Sequence, residues 1–423
     1  MNKEKQNIVP ALRFPEFVND GEWEIRGIEK NISMISGIAL KSNELSEDKS
    51  GTPILRGINI TEGYIRHSQK IDKFYLGDTS KFTKYLVDEN DIVIGMDGSK
   101  VGKNVALVSK FDIGSILIQR VARIRAIDSD IKYLYQNFIS KRFITYVDNV
   151  NTSSGIPHIS AKQIKDFKIG FPPKLKEQKK IANCLSSLDT LIAAETDKLA
   201  HLKDHKKGLL QQLFPKAGET KPQYRFPEFV GDGDWEEKEI GQIFKFKQGV
   251  QVPINNQHTT KDDGMVRFIR IIDITGNSEP PRYINNPGAD HIINEDDLFM
   301  IRYGTPGAIS IGFDGVIANN LFRLIWKLSS PINSFFWYYA FQKIEKKIYS
   351  LSGSSSMPAI SFSTLDNLEI KFPENPKEQQ KVANCLSSVD DLIAAQSIKI
   401  KGFQAHKKGL MQQLFPNVSD VAV

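Results

Sequence analysis

The chain has 423 residues, 40% of them hydrophobic and 25% charged, and its formal net charge is +6. This length allows two or more domains with cores of their own, and no apolar run approaches the roughly 18 residues that a membrane-spanning helix needs. The mildly basic charge is compatible with nucleic-acid binding but does not by itself establish it.

Two further features concern the cellular compartment. The N-terminal residues MNKEKQNIVP contain no apolar segment of the kind found in signal peptides. Cys184 and Cys385 are too few to form a disulfide framework. We therefore expect a cytoplasmic protein.

The first part of the chain opens with the motif RFPEFVNDGEWE at 13–24. Short β-rich runs broken by Gly, Asn and Asp come next, such as IVIGM and ILIQRVARIR. A helix is predicted over 131–147, and a much longer helical pattern then leads to HKKGLLQQLFP at 205–215. These patterns predict an α+β domain followed by a long helix.

The second part repeats this order. It opens with RFPEFVGDGDWE at 225–236, continues with β-rich runs such as VRFIRIIDI and a predicted helix over 333–350, and ends with HKKGLMQQLFP. Residues 177–215 and 378–416 align without a gap, and 25 of the 39 positions are identical. An internal repeat of this kind indicates a duplicated structural unit.

Both tails carry apolar residues in two seven-residue series offset by four, which is the pattern of a coiled-coil seam. Prolines bound each pattern, and proline is excluded from helix interiors. We expect the two helices to pair as an antiparallel coiled coil that relates the units by a pseudo-two-fold; alternatively, each helix pairs with a second molecule. The predicted seam residues are Ile181, Leu185, Leu188, Ile192, Leu199, Leu202, Leu209, Leu213, Val382, Leu386, Val389, Ile393, Ile400, Phe403, Leu410 and Leu414.

Four polar residues interrupt these seams: Glu195, Lys206, Gln396 and Lys407. Polar residues at seam positions commonly fix the register of a coiled coil at a cost in stability.

The bodies between the opening motifs and the tails align only faintly. ILRGINI at 54–60 corresponds to FIRIIDI at 268–274, and SSGIPHIS at 153–160 corresponds to SSSMPAIS at 354–361. The frame is kept while the side chains differ. This pattern is typical of one scaffold used twice to recognise two different things.

No catalytic or metal site is predicted. GSKVGKN at 98–104 is one residue short of a phosphate-binding loop and lacks the hydroxyl residue that would meet magnesium. His201 and His205 lie one helical turn apart, but Gly402 replaces the first of them in the second tail, which argues against zinc. The Glu-x-Lys of LEIKFP is absent from its counterpart FKIGFP, so we predict a structural strand there.

The duplicated motifs resemble those of the specificity (S) subunits of type I restriction-modification systems. The resemblance covers nearly the whole chain and rests on RFPEF followed by Trp, on proline followed by EQ at 177–178 and 378–379, and on HKKGLxQQLFP. It implies an α+β chain with two tandem target recognition domains separated by two long helices. The expected segments are domain 1 with its N-terminal segment (1–173), a first spacer helix (174–215), domain 2 (216–374), a second spacer helix (375–416) and a tail (417–423).

The resemblance also implies a non-catalytic subunit. Each recognition domain would read one half of a bipartite site in double-stranded DNA. The helices would set the spacer and dock methyltransferase (M) subunits, two of them, which carry the restriction (R) subunits. S-adenosylmethionine, ATP and magnesium are expected on those partners, and no cofactor is expected on this chain. The alternative is a tandem-domain coiled-coil scaffold that binds only proteins.

Arginine is the usual side chain that contacts guanine directly, and asparagine or glutamine is the usual one for adenine. We expect DNA contacts from polar residues in segments that correspond between the domains. In domain 1 these are Arg56, Asn59, Ser99, Lys100, Lys103, Gln119, Arg120, Ser153, Ser154 and His158. In domain 2 they are Arg270, Asp273, Arg302, Tyr303, Thr305, Asn319, Asn320, Ser354 and Ser355.

Overall fold

The chain forms two compact units in a computed structural model. Unit 1 contains the described residues up to Glu195 and from Lys399 onward, and unit 2 contains those from Thr196 to Ile398. Each long helix therefore contributes one part to each unit. The residues described are 7–151, 156–276, 279–328, 332–353 and 358–416.

Unit 1 combines short strands with a few helices. Its strands are β1 Asn7–Ile8, β2 Trp23–Gly27, β3 Ile32–Ser36, β4 Thr52–Leu55, β5 Lys73–Tyr75, β6 Ile92–Gly95, β7 Val105–Leu107, β8 Ile116–Leu117, β9 Val121–Ala126 and β10 Lys168–Phe171. Its helices are α1 Ile131–Phe138, α2 Lys141–Val150, α3 Ala161–Asp166 and the first part of α4 Leu175–Gln212.

Unit 2 has the same plan. Its strands are β11 Glu236–Glu239, β12 Phe244–Gln248, β13 Met265–Ile269, β14 Arg282–Asn285, β15 Ile292–Ile293, β16 Leu298–Ile301, β17 Ile309–Ser310, β18 Gly315–Ile317, β19 Leu321–Trp326 and β20 Glu369–Phe372. Its helices are α5 Ile240–Ile243, α6 Ile271–Ile274, α7 Ser334–Ser350, α8 Phe362–Asp366 and the first part of α9 Pro376–Leu414.

The sheets of the two units correspond in strand order, except that β1 and β15 have no counterpart strand among the described residues. An antiparallel sheet has the order β3–β9–β6–β7 in unit 1 and β12–β19–β16–β17 in unit 2. A second sheet contains a parallel pair, β4 with β8 or β13 with β18. The strand that begins at the end of each opening motif pairs with the strand before each long helix, as β2 with β10 and β11 with β20. The predicted α+β fold is confirmed.

The tryptophan of each opening motif packs against the helix that comes after the sheets. Trp23 is fully buried, and its ring lies 6.4 Å from that of Tyr133 in α1. Trp235 is 3% exposed, and its ring lies 5.9 Å from that of Phe336 in α7. The motif therefore supplies a core residue to each unit.

A buried ion pair joins each opening motif to the start of a long helix. Arg13 donates from Nε and a terminal nitrogen to the two carboxylate oxygens of Glu177, at 2.7 and 2.8 Å. Arg225 contacts Glu378 in the same two-bond geometry, at 2.8 and 2.7 Å. The hydrogen bonds to Glu177 raise the pKa of the Arg13 guanidinium above its ordinary value. These pairs explain why RFPEF and EQ occur together twice.

The repeated ending of each long helix closes a core. In unit 1, Leu414 at the end of α9 is 2% exposed and lies in the same core as Ile181 and Leu185 of α4. In unit 2, Leu213 just after α4 is 1% exposed and shares a core with Leu386 of α9. The two copies of HKKGLxQQLFP are alike because they fill equivalent places.

Within each unit, the parts of α4 and α9 run antiparallel. In unit 1, Lys407 of α9 donates to Asp189 of α4 at 2.5 Å, and Lys399 donates to Glu195 at 2.5 Å. A higher residue number on one helix thus faces a lower number on the other, so the predicted antiparallel pairing is confirmed. Every predicted seam residue is buried or half-buried.

Two of the polar seam residues, Lys407 and Lys206, are linked to a body helix through an aspartate. Asp189, which accepts from Lys407, also accepts a hydrogen bond from Gln136 of α1 at 2.8 Å. In unit 2, Asp390 accepts from Lys206 at 2.8 Å and from the Tyr339 hydroxyl of α7 at 2.8 Å. Each of these three-residue groups fixes the register of the paired helices and their position on the body.

No helix in the described part of the chain has the length and apolar character required to cross a bilayer.

The Arg13–Glu177 pair yields a stability prediction. Replacing Arg13 by Ala leaves the buried Glu177 carboxylate without its partner, so the free energy of unfolding should fall by about 3–5 kcal/mol. Urea unfolding of the purified chain measures this change.

The matched control is Lys180→Ala, because Lys180 lies on α4 close to Glu177. Lys180 pairs with Glu16 at 3.0 Å, but their side chains are 52% and 46% exposed. Loss of this exposed pair should lower the free energy of unfolding far less than loss of the buried pair does, because solvent screens exposed charges. Equal losses in the two variants would contradict the role given to the buried pair.

Candidate nucleic-acid interface

The loop between β6 and β7 lies against helix α2 in unit 1. Gly102 in this loop has a positive φ of 82°, and a Cβ placed on it would lie 2.9 Å from Cβ of Val147. Gly307 in unit 2 has a φ of 96°, and a Cβ there would lie 2.8 Å from a methyl group of Ile348 in α7. Only glycine combines a positive φ with so close an approach to a neighbouring side chain without strain. Gly102 and Gly307 therefore allow each loop to pack directly on its helix.

Three backbone hydrogen bonds hold this loop beside two other segments in unit 1. The Met96 N–H donates to the Arg120 carbonyl at 2.8 Å, and the Ile159 N–H donates to the Met96 carbonyl at 2.9 Å. The Gly98 N–H donates to the Pro157 carbonyl at 3.0 Å. The sequence places these segments far apart, and the fold brings them side by side.

The same bonds occur in unit 2. The Arg302 N–H donates to the Asn320 carbonyl at 2.9 Å, and the Ile360 N–H donates to the Arg302 carbonyl at 3.1 Å. The Gly304 N–H donates to the Pro358 carbonyl at 2.9 Å. Arg302 thus stands where unit 1 has Met96, and Asn320 stands where unit 1 has Arg120.

We call the side chains on this frame in unit 1 loop surface 1, with Asp97 at its centre. The Arg120 Nε lies 3.1 Å from the Asp97 carboxylate, and His158 Nδ1 contacts the other oxygen of that carboxylate. Arg120 is 66% exposed at its side chain and has a positive φ of 70°, which is uncommon for a residue with a Cβ. The other predicted residues on this surface are all exposed: Ser99, Lys100, Lys103 and Gln119.

The side chains on the frame in unit 2 form loop surface 2. Arg302 donates to the Gln248 side chain and to the Ile360 carbonyl, at 3.3 Å for the latter, and its guanidinium lies 4.5 Å above the Phe362 ring. Thr305 and Asn319 are exposed. Tyr303 and Asn320 are half-buried. Loop surface 2 therefore carries one anchored cation among amides and hydroxyls.

Two predicted pairs lie elsewhere and act inside the fold. Asn59 is fully buried; its side-chain oxygen accepts from the Arg56 N–H at 3.1 Å, and its side-chain nitrogen donates to the Arg66 carbonyl at 3.2 Å. Asp273 accepts from the Arg270 N–H at 2.8 Å, and its hydrogen bonds raise the pKa of the Arg270 guanidinium. The Arg56–Asn59 pair caps the turn after β4, and the Arg270–Asp273 pair caps the turn after β13.

Ser153, Ser154, Ser354 and Ser355 lie outside the described residues.

Two residues of the loop surfaces were not predicted. Asp97 lies close in sequence to the predicted residues Ser99 and Lys100, but nothing in the sequence showed that it contacts Arg120 and His158. Gln248 precedes Gly249, where a Cβ would lie 2.2 Å from the Ala318 carbonyl oxygen. Gly37 in unit 1 meets the Ile118 carbonyl oxygen in the same way, at 2.1 Å. The shared glycine was the signal in the sequence that this segment passes close to the loop surface.

Among the residues that the structure describes, no group of three or more His, Cys, Asp or Glu side chains is arranged to hold a metal ion.

Comparison with known proteins identifies relatives for both units. The model of the type I restriction modification DNA specificity domain matches residues 21–204 and again residues 232–401. The type I restriction enzyme MjaVIII specificity subunit of Methanocaldococcus jannaschii is 27% identical over 431 residues, covering 96% of this chain and 93% of that protein.

Two solved structures share the fold. The S subunit of a type I restriction-modification system from M. genitalium aligns over 97% of this chain and 100% of its own, with a TM-score of 0.63 at 18% identity. A chain from a structure on complex assembly and conformational transition of the type I R-M system aligns over 91% of this chain and 97% of its own, with a TM-score of 0.50 at 15% identity.

Gly102 gives a prediction for the seating of loop surface 1. Gly102→Ala should destabilise the chain by about 1–3 kcal/mol more than Gly114→Ala, because only the first variant overpacks a neighbouring side chain. Gly114 is the matched control, since its φ is also positive, at 80°, and no heavy atom lies within 4 Å of its Cβ position. Urea unfolding compares the two variants, and equal losses would contradict the close packing on Val147.

Proposed function

The chain belongs to the family of type I restriction-modification specificity subunits, and from this premise we propose that loop surfaces 1 and 2 each read one half of a bipartite DNA site. The family's role is recognition of DNA sequence within a multisubunit restriction-modification system, without catalysis by this subunit. One observation carries the proposal: equivalent backbone hydrogen bonds present different side chains in the two units.

Loop surface 1 offers mainly cationic readers. Arginine contacts guanine O6 and N7 through two parallel hydrogen bonds, and glutamine pairs similarly with adenine. Arg120 and Gln119 are exposed and adjacent, and Asp97 orients the Arg120 guanidinium. Lys100 and Lys103 are exposed on the neighbouring loop and suit phosphate contacts. This surface therefore favours a half-site that contains guanine.

Loop surface 2 offers amides and hydroxyls around one arginine. Asn319 and Thr305 are exposed, and Gln248 holds Arg302 in place. Asparagine pairs with adenine N6 and N7, and threonine contacts either type of base. The two half-sites should therefore differ in sequence, which makes the whole site asymmetric.

The remaining predicted contacts divide into two groups. We propose that Arg56 with Asn59 and Arg270 with Asp273 support the loops rather than touch bases. The side chains of Asn59 and Asp273 cap turns, and the guanidinium groups of Arg56 and Arg270 donate to the Ile71 carbonyl and to the Asp273 carboxylate. Ser153, Ser154, Ser354 and Ser355 stay proposed groove or phosphate contacts on sequence grounds alone.

The subunit acts with DNA and with the M and R subunits of its system, and we propose that two M subunits bind equivalent stripes on α4 and α9. In unit 1, Ser187, Leu191 and Ala194 are exposed on one face of α4. Their counterparts in unit 2 are also exposed and are the same residue types: Ser388, Leu392 and Ala395. Packing within this chain does not require exposed residues to stay identical, whereas binding the same partner twice does.

The proposal also covers the R subunits and the cofactors of the partner subunits. The M subunits carry the R subunits, and S-adenosylmethionine, ATP and magnesium bind to these partners. The location would be the cytoplasm, where the DNA is. A scaffold that binds only proteins is not favoured, because the DNA specificity domain matches the chain twice.

The division of the site between the surfaces can be tested by single substitutions. Arg120→Ala should make one half of the methylated motif degenerate and leave the other half intact, and Asn319→Ala should do the reverse. Losing one base contact costs about 1–3 kcal/mol of discrimination, which is about 5- to 150-fold. Genome-wide methylation mapping, in cells that express each variant with the M subunit, shows which half of the motif becomes degenerate.

The control is Lys110→Ala, which removes an exposed cation of unit 1 from the loop between β7 and β8, outside the segments that form loop surface 1. It should leave the motif unchanged. If Arg120→Ala and Asn319→Ala relaxed the same half, the assignment of one half-site to each unit would be wrong.

The partner stripes give a second prediction. Leu191→Asp and Leu392→Asp should each remove one M subunit from the purified complex, and the double variant should remove both, because a charge at an apolar contact is not compensated. Ala405→Asp is the control, since Ala405 is exposed on α9 and its counterpart is already Asp204. Native mass spectrometry counts the subunits. Retention of two M subunits by the double variant would contradict the proposed stripes.

A further inference from the structure

A cavity of about 370 Å³ opens in unit 2 beside helix α7. It lies between α7, the strands β11 and β20, and residues 214–218 just after α4. Four lysines and two glutamates line it: Lys216, Lys343, Lys347, Lys371, Glu237 and Glu369. Its walls therefore carry more positive than negative charge.

Three of these lysines have no counter-ion in the described part of the chain. Lys371 donates to the Glu219 carbonyl at 2.7 Å and lies 3.5 Å from the Glu237 carboxylate. Among the residues that the structure places, the ammonium groups of Lys216, Lys343 and Lys347 make no hydrogen bond or ion pair. Burial, and then the charge of Lys216, lower the pKa of the half-buried Lys343. The cavity thus holds positive charge that an anion would stabilise.

The corresponding position in unit 1 is used differently. The contacts of Gly102 with Val147 and of Gly307 with Ile348 align α2 with α7, which places Arg142 at the position of Lys343. The Arg142 guanidinium donates to the Lys168 carbonyl and lies 5.4 Å from the Phe167 ring centre. Arg142 is therefore committed to the fold of unit 1, whereas Lys343 is available.

We propose that the Lys343 cavity binds a phosphate group, and that in the assembled complex this is a DNA phosphodiester beside the half-site of unit 2. The DNA part rests on the proposed function of loop surface 2. Lys347, which also lines the cavity, directly precedes Ile348, the residue that packs against Gly307 in the loop of surface 2. Duplex DNA carries one charge per ~1.7 Å of axis, so phosphates flank any half-site that is bound at loop surface 2. Lysine binds phosphate as a point charge.

The test uses the complex of this chain with its M subunits. Binding is measured over a range of salt concentrations for two duplexes, one with the methylated motif and one without it. Lys343→Gln should weaken binding to both duplexes by a similar factor and reduce the salt slope by about 1, because one phosphate contact is lost. Lys343→Arg should keep the wild-type affinity and salt slope. The sequence of the methylated motif should not change in either variant.

Lys346→Gln is the matched control, because Lys346 is an exposed lysine of α7 outside the cavity. An unchanged affinity and salt slope in Lys343→Gln would overturn the DNA assignment. Calorimetric titration of the DNA-free complex with inorganic phosphate separates the remaining cases. Binding that depends on Lys343, without a change in DNA salt slope, would assign the cavity to a free phosphate and overturn the DNA part. No effect in either assay would overturn the site itself.

The duplex without the motif keeps this test separate from the proposed function. If the wild-type complex showed no preference for any motif, the reading of half-sites would fail. The salt slope on unrelated DNA would still report whether Lys343 contacts phosphate.

Discussion

A buried arginine–glutamate pair at the start of each long helix is the interaction on which the rest of the structure depends. Arg13 and Glu177 are 5% and 0% exposed at their side chains, and Arg225 and Glu378 are 8% and 1% exposed. Each pair joins a motif at the beginning of a body to the helix that leaves it. Since removing one partner strands a charge in a dry environment, the two motifs are coupled, and the helix leaves each body in a fixed direction.

Each long helix then positions the remaining parts of its unit. Asp189 and Asp390 lie about three turns beyond the glutamates and bind a lysine of the other helix and a side chain of the body. The apolar seam and the buried ends of α4 and α9 complete each unit. The tail sequence is repeated because this set of contacts is needed twice and leaves few positions free to change.

In the bodies, by contrast, many side chains can change without loss of the structure. Their loop surfaces are held by hydrogen bonds between backbone groups and by a glycine seated on a helix, so the frame does not depend on the identity of most side chains. Asp97 and Arg120 in unit 1 can therefore be replaced by Tyr303 and Asn320 in unit 2 without loss of the frame. Reading two different half-sites, as proposed above, would require this separation between the frame and the side chains that contact bases.

The sequence allowed the fold to be predicted further than the site. The seven-residue period predicted the two long helices because it is a local pattern, and the duplication favoured their antiparallel pairing over pairing with a second molecule. The partners of Asp189 and Asp390 could not be predicted, since Gln136 and Tyr339 come from body helices with different sequences. Alignment of the bodies located Asn59 in a corresponding segment, but it could not show that the side chain turns inward to cap a turn. Polar residues serve as caps and as readers, and only the three-dimensional structure separates these roles.

The central claim is that one frame, used twice, reads two different half-sites. Genome-wide mapping of adenine methylation, in cells that express this chain with its M subunit and in cells that lack the chain, tests it most directly. We expect one new motif that requires the chain and consists of two different defined parts separated by undefined bases. A new motif with two identical halves, or no new motif from an assembled and active complex, would contradict the account.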